Sequence, residues 1–366
     1  MESASRRQVY LVTGGCGFLG KHLVQMLLER EPGLAEVRVF DVQLDESMRQ
    51  LERVTLVQGD ISDLEDVKAA MKGVDVVMHT ASLVDVWGRV QPEKIQAVNV
   101  QGTQNVIEAC VMQGTQYLVY TSSMEVVGPN TKGDPFFRGN EDTIYEAIHE
   151  HPYPVSKAKA EQLVIEANGR QMNNGKRLAT CALRPTGIYG ENHPLMKEFY
   201  ENGLRTKRCM IRAIPASTEH GRVYVGNVAW MHLLVARKMQ ESAAAIGGQV
   251  YFCYDDSPYK SYEDFNMEML RPCGFRLLGS RPLMPFFLLQ LIALFNSVLR
   301  WLLKPFCTYA PILNPYTLAI ASTTFTIQTD KAQQHFGYRP CYTWEESRKR
   351  TVQWLQEIDA RRQAGK

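Results

Sequence analysis

The sequence predicts a doubly wound α/β fold, a parallel sheet covered by helices on both faces, followed by a smaller C-terminal lobe. Three observations carry this. Apolar runs of strand length alternate with helix-length amphipathic segments through the first half, the pattern of a sheet buried on both sides. A glycine-rich turn separates the first such run from the first amphipathic segment. The chain has 366 residues, more than one average domain of roughly 150 residues.

Residues 9–13 form the first predicted strand, and 37–41, 54–58, 74–79, 117–121 and 180–183 the next five. Helices are expected over 19–30, 64–71, 92–112 and 154–168. Units that alternate in this way are joined by right-handed crossovers. Residues 1–190 are therefore assigned to a nucleotide-binding domain. Beyond residue 190 the alternation weakens and aromatics and prolines accumulate, so 191–366 is read as the substrate lobe. Within it, 222–240 is expected to return and pack on the first domain.

One stretch differs from the rest. Residues 282–299 read PLMPFFLLQLIALFNSVL without a charged side chain, and Trp301, Leu302 and Leu303 extend the run past Arg300. The length suits crossing a bilayer or lying in its surface. A membrane-associating helix over about 282–303 is the expectation, with Arg281, Arg300 and Lys304 able to reach lipid headgroups. Gln290, Asn296 and Ser297 also suit a buried helix of the lobe, and that alternative stands open. Residues 305–329, charge-free but interrupted by Pro311 and Pro315, are expected to be mostly loop and strand.

Composition excludes several classes. With 45% hydrophobic and 22% charged residues the chain is an ordinary globular protein. A formal charge of +2 without long basic runs gives no case for nucleic acid. Eight cysteines show no C-x-x-C pair and no grouping with histidine, so they read as buried thiols in a reducing compartment and no metal site is expected. Residues 1–8 are polar and run straight into a strand, unlike a secretory leader. The catalytic part is accordingly expected on the cytosolic side.

Between the first strand and helix stands Gly14-Gly15-Cys16-Gly17-Phe18-Leu19-Gly20. In strand–turn–helix context this is the dinucleotide-binding fingerprint of a Rossmann domain. Gly14 permits the tight turn, Gly17 lets the backbone approach the pyrophosphate, and Gly20 allows close packing. The helix N-terminus supplies amide donors to the phosphates. Asp41 ends the second strand, where a carboxylate accepts hydrogen bonds from the adenosine ribose and repels a 2′-phosphate. The cofactor expected is NAD. Asp60, with Ile61 after it, ends the third strand within reach of the adenine, or else serves an ordinary turn.

The catalytic candidates lie in Tyr153-Pro154-Val155-Ser156-Lys157. A spacing of four puts phenol and ammonium on one helix face, with Pro154 suited to the first helical position. A phenol of pKa near 10 is a poor base at neutral pH, and an adjacent cation favours the phenolate. A hydroxyl to hold the reacting oxygen is expected from Ser122 or Ser123, at the carboxyl end of the fifth strand where ligands sit in such sheets. Spacing does not choose between them.

TGGCGFLG, Asp41, YTSSMEVVGPN, HPYPVSK, ALRPTGIYG and RVYVGNVAWMH together resemble the 3β-hydroxysteroid dehydrogenase/Δ5-Δ4 isomerases, an extended branch of the short-chain dehydrogenases. The resemblance covers nearly the whole chain. RPTGIYG, RAIPASTEHGRVYVGNVAWMH and SPYKSYEDFNME are most similar to the branch acting on twenty-seven-carbon 7α-hydroxysterols in bile acid synthesis. It implies Ser123 as the catalytic serine, Tyr153 as base and Lys157 as its partner. It also implies that Thr80, Ala81, Arg184, Pro185 and Thr186 line the cofactor. Asp255 and Asp256 resemble a segment implicated in isomerisation, though a turn explains them equally well. The implied reaction is oxidation of a 3β-hydroxyl and migration of the 5-ene to the 4-ene. The implied setting is the endoplasmic reticulum membrane, with lipid as a contact, the catalytic domain cytosolic and a homodimer admitted. A sugar-nucleotide epimerase or reductase shares the fingerprint and the Tyr/Lys pair, but gives no reason for a lipid-facing helix.

Overall fold

The computed structural model describes residues 7–130 and 132–364; residues 1–6 of the polar N-terminal stretch lie outside it. The first half runs β1 (Gln8–Thr13), α1 (Phe18–Arg30), β2 (Leu34–Asp41), β3 (Val54–Gln58), α2 (Leu64–Met71), β4 (Val76–His79), then α3 (Pro92–Gln96). A π turn at Ala97–Gln101 joins α3 to α4 (Gly102–Gln113), followed by β5 (Tyr117–Thr121), β6 (Phe136–Gly139), α5 (Pro152–Glu166) and β7 (Ala179–Pro185). The second half runs β8 (Gly187–Tyr189), α6 (Pro194–Arg205), β9 (Cys209–Ile211), β10 (Arg222–Tyr224), α7 (Val225–Glu241), α8 (Ala243–Ile246), β11 (Gln249–Cys253) and α9 (Tyr262–Leu270). It ends with β12 (Arg276–Leu278), α10 (Phe286–Leu303), α11 (Pro315–Ser322), β13 (Phe325–Ile327), α12 (Lys331–Phe336) and α13 (Trp344–Ala364).

The central sheet is seven-stranded, in the order β11-β7-β5-β4-β1-β2-β3, and every pairing in it is parallel. Six of these strands lie where the apolar runs predicted them; the seventh, β11, was not read from the sequence. Successive residues of β1 serve opposite faces. Tyr10 and Val12 join a core with Leu23 and Leu27 of α1 and Val228 and Val235 of α7. Leu11 joins the other core with Val67, Val106, Ala160 and Val164. Thus α7 lies against the sheet on the same face as α1. A third core, with Tyr189, Tyr200, Phe265 and Leu355 at its centre, gathers α6, α9 and α13 into the second lobe.

Two local readings need correction. Helix α5 begins at Pro152, capped by His151, rather than with Pro154 at its first position. Proline suits the first position because the amide there has no intrahelical partner. Its earlier start brings Tyr153 into the first turn. Within 305–329, expected as loop and strand, residues 315–322 are helical. Asn314 and Thr317 form a reciprocal capping box around Pro315, and that start signal outweighs the prolines.

Helix α10 is not a buried helix. Leu289 and Ala293 alone among its residues are buried, against Ile214 and Leu318. Asn296 donates to the Leu313 carbonyl, and Arg300 donates to the carbonyls of Trp87 and Gly88. Positions 289, 293, 296 and 300 make a single helical seam. Everything opposite is apolar and open, with Leu291, Leu294 and Phe295 about 60% exposed and Trp301 73%. Arg300, expected at lipid headgroups, is instead turned inward and held by backbone carbonyls.

Candidate active site

The glycine loop is shaped by contacts that a Cβ would prevent. Gly14 has φ +67°, in the left-handed region, and a Cβ there would come within 2.8 Å of the Ala81 backbone. At Gly20 a Cβ would lie 2.1 Å from the Gly14 carbonyl oxygen. The Gly14 amide donates to Phe40 and the Gly17 amide to Gly14. Gly17 then hands over to α1, which starts at Phe18 with its first-turn amides pointing out of the helix. Leu19 packs toward the core, while Phe18 meets the rings of His22 and His193 edge-on.

Asp41 stands beside this loop, its Oδ2 accepting from the Cys16 amide at 3.0 Å. Thr80 donates to the Thr13 carbonyl and Ala81 abuts Gly14, so β4 delivers both to the loop. Asp60 accepts from the Ser62 amide in a tight turn, and the Ile61 side chain lies in the core.

At the carboxyl end of β5 the two serines separate. Ser122 donates to Glu161 at 2.6 Å, and Arg184 grips the same carboxylate through Nε and Nη2. The Arg184 guanidinium, implied as a cofactor contact, is thus committed to a buried ion pair, whereas Pro185 and Thr186 remain at the end of β7. Ser123 accepts from the Glu125 amide and lies on the side of the Tyr153 phenol, whose pKa it draws down. Tyr153 is 6% exposed and Lys157 3%. Lys157 Nζ donates to the Thr121 carbonyl at 2.6 Å and lies 4.6 Å from the Tyr120 ring centre. Burial lowers the Lys157 ammonium to about 7, against the pull of Glu161 and Glu125. Burial and the Glu125 charge push the Tyr153 phenol upward, and the Ser123 hydrogen bond draws it down.

Three side chains here were not picked out from the sequence. Asn99, in the π turn, donates to Ser156 and to the Leu83 carbonyl, fixing α5 against the loop after β4. π turns inside helices occur often at functional sites. Glu125, two residues after Ser123, is enclosed so that burial raises its carboxyl to about 7. Tyr316 of α11 donates to Glu125 and stacks on His151, with ring centres 4.3 Å apart. An acid inside an apolar motif was a readable signal for Glu125; Tyr316 comes from far along the chain.

Asp255 accepts from the Tyr224 amide, the Asn227 amide group and the Ser257 amide. Its lone pairs tie the turn after β11 to β10 and α7. Asp256 is exposed. No group of three or more metal-ligating side chains occurs among the described residues.

The family model for the 3-beta hydroxysteroid dehydrogenase/isomerase family matches residues 11–284. The chain belongs to this family. It is 66% identical over 355 residues to the mouse protein named 3 beta-hydroxysteroid dehydrogenase type 7, and 64% identical over 356 to the human one, each match covering 96% of both chains. A vaccinia virus (strain Western Reserve) protein, 3 beta-hydroxysteroid dehydrogenase/Delta 5-->4-isomerase, is 43% identical over 353 residues, with 96% and 99% covered. Among solved structures, a UDP-galactose 4-epimerase superposes with a TM-score of 0.68 over 96% of this chain and 99% of its own at 20% identity. One titled gox2253 gives 0.69 over 96% and 98% at 23%. That likeness establishes the doubly wound fold alone. With the family settled, the chain is a 3β-hydroxysteroid oxidoreductase rather than an epimerase.

Proposed function

We propose that this protein oxidises the 3β-hydroxyl of a 5-ene steroid with NAD and moves the double bond to give the 3-oxo-4-ene. The substrate is a twenty-seven-carbon 7α-hydroxysterol of bile acid synthesis, in keeping with the type 7 names of the mouse and human relatives. The observation that carries the reading is the buried pair Tyr153 and Lys157 on one turn of α5, with Lys157 donating to the Thr121 carbonyl at the carboxyl end of β5, beside Ser123.

The residues fit the cofactor. A glycine cradle that would clash with any Cβ at Gly14 or Gly20 opens onto a helix N-terminus, with Asp41 placed for the ribose. NAD held by the glycine loop and Asp41 would supply the acceptor for the hydride of carbon 3. Ser123 holds the steroid oxygen, and Tyr153 Oη takes its proton as general base. Lys157 favours the phenolate form in which Tyr153 can take that proton.

Isomerisation needs a group that removes a proton at carbon 4 and returns one at carbon 6. Glu125 suits this role better than Asp255. A carboxyl held at about 7 next to Tyr153 is poised for both directions of transfer near neutral pH, whereas the Asp255 carboxylate is occupied by backbone and amide donors.

Helix α10 is long and apolar enough to cross a membrane by length and composition. Its seam of Leu289, Ala293, Asn296 and Arg300 is held by the protein, which supports a helix lying in the surface rather than spanning it. The setting proposed is the cytosolic face of the endoplasmic reticulum. Incubating the purified chain with NAD and 3β-hydroxy-5-ene sterols, with and without a 7α-hydroxyl, tests the activity. Tyr153→Phe should reduce kcat by about a hundred- to ten-thousand-fold with NAD binding retained. A variant keeping more than about a tenth of the wild-type kcat removes Tyr153 from the mechanism. Carbonate washing and protease protection of microsomes test the membrane arm, and sizing in detergent tests the homodimer. Protection of the N-terminal half would overturn the topology.

A further inference from the structure

Arg222 opens β10 and pairs with Gly187 of β8, just past the carboxyl end of β7. The residue as a whole is partly open, yet its Nε and Nη2 atoms are sealed from solvent and meet no acceptor among the described residues. Nearby Thr186 Oγ1 is also buried without a partner, and the Thr186 methyl lies against Gly221, the residue before Arg222. Gly187 makes room for the guanidinium: a Cβ there would stand 2.6 Å from Nη1. The cation lies 4.0 Å from the Tyr262 ring centre and 5.3 Å from that of Phe265.

A guanidinium enclosed in this way needs a compensating acceptor, because an unpaired buried charge is among the costliest groups a fold can hold. Among the described residues none is supplied. The titratable groups that face Arg222 are Tyr262, whose phenol burial pushes up, and His193 and His220, both lowered to about 4 by burial and by Arg222 itself. All three are neutral at physiological pH. Buried polar atoms left unpaired in a native structure call for a partner from outside the chain.

The two orphaned donors are informative. Nε–H and Nη2–H leave one edge of the guanidinium side by side, the fork that matches the two oxygens of a carboxylate or another planar oxoanion. The location favours the substrate as its source. Tyr262, under the guanidinium, meets the His220 ring edge-on at 4.4 Å, His220 bonds the Ile320 carbonyl of α11, and Tyr316 of the same helix donates to Glu125, so Arg222 is joined through α11 to the group two residues from Ser123.

Resting on the steroid reading above, we propose that Arg222, assisted by Thr186, is a substrate-positioning residue that receives an acidic oxygen pair on the steroid remote from carbon 3. The fork anchors that end while Ser123 and Tyr153 engage the 3β-hydroxyl. Neutral hydroxyls at the same place take one of the two donors and gain less.

The test uses the full-length protein with NAD and a matched pair of 3β-hydroxy-5-ene steroids, one ending in a carboxylate and the other in its methyl ester. Wild type should favour the acid in kcat/KM by roughly ten- to a hundredfold, the range for a charge-assisted hydrogen bond. In Arg222→Met the ratio should collapse toward one, with the loss in KM more than in kcat. Arg222→Lys, which keeps charge without the fork, should fall between. Inhibition of wild type by 3-deoxy analogues needs no variant, and the acid should bind at least about tenfold tighter than the ester. Equal treatment of acid and ester by the wild type in both measurements would overturn the proposal. So would a tenfold weaker Kd for NAD in Arg222→Met, which would mean that the fork serves the cofactor diphosphate. Absence of turnover with every steroid would instead sink the steroid reading on which the proposal rests.

Discussion

Replacing Glu125 by glutamine separates the two reactions, because it deletes a charge and a base while leaving the shape of the side chain. In the structure Glu125 does three things. It accepts from the Tyr316 hydroxyl, it raises Tyr153 through its charge, and it is held at about 7 by burial. A general acid–base group contributes about a hundred- to ten-thousand-fold, equivalent to roughly 2.7–5.5 kcal/mol of barrier. Isomerisation should fall by that amount in Glu125→Gln. Oxidation should fall less, and its dependence on pH should move. With the neighbouring negative charge gone, the phenol ionises more readily, so the rise of kcat/KM with pH should shift to lower pH. The assay follows NADH absorbance for oxidation and the ultraviolet absorbance of the conjugated enone for isomerisation in one cuvette. Accumulation of a 3-oxo-5-ene is the expected result. If enone still forms at more than about a tenth of the wild-type rate, Glu125 is not the isomerase base. If both signals fall in parallel, it acts only by supporting Tyr153.

Two further predictions concern the cofactor loop and the buried lysine. Asp41→Ala removes the charge that faces a 2′-phosphate and should shift the kcat/KM preference from NAD toward NADP; a wild type already indifferent between the two cofactors would contradict this placement. Lys157 has a folded value of about 7 against an ordinary 10.5, so between those pH values the unfolded chain binds a proton that the native state does not. Stability of the wild type should therefore rise with pH across roughly pH 7–10. Lys157→Met should lack that rise as well as the activity, which urea melts at pH 7 and pH 9 would show.

What the sequence revealed was local. Val9 to Thr13 alternate across the sheet and run into glycines whose roles depend on a turn a few residues long, so pattern reading reaches them directly. The same holds for Tyr153 and Lys157, which one helical turn brings together. Spacing could not separate Ser123 from Ser122, because what distinguishes them is Glu161 of α5, which accepts from Ser122 and is itself held by Arg184 of β7. Glu125 owes its raised pKa to burial, against a hydrogen bond from Tyr316 of α11, about 190 residues away in the chain, that draws it down, and no periodicity reports such an enclosure. The start of α11 was legible in Asn314-Pro315-Tyr316-Thr317; two prolines in a charge-free segment drew the reading toward a loop instead. Arg300 shows the opposite failure. A cation at the end of an apolar run normally reaches for water or headgroups, and the carbonyls that turn it inward lie on a loop that hydropathy does not connect to α10.

That loop joins the two ends of the function. Arg300 of α10 holds the carbonyls of Trp87 and Gly88, and Asn314, the cap of α11, donates to that of Val86. Asp85 ties the same loop together by accepting from the amides of Trp87, Gly88 and Val90. At its start Asn99 binds the Leu83 carbonyl and, through its other hydrogen bond, Ser156 on the helix that carries Tyr153. Hydrogen bonds spaced along this loop therefore link α10 to the helix that carries Tyr153, and α11 adds a second route through Tyr316 and Glu125. A sterol partitions strongly into lipid, at about 0.8 kcal/mol for each methylene kept from water, so the proposed membrane setting would supply it from the bilayer. An apolar helix latched to this loop ties its own position to that of the reacting groups. This makes physical sense of Arg300 facing inward, since a charge spent on headgroups would anchor the helix but leave the loop free.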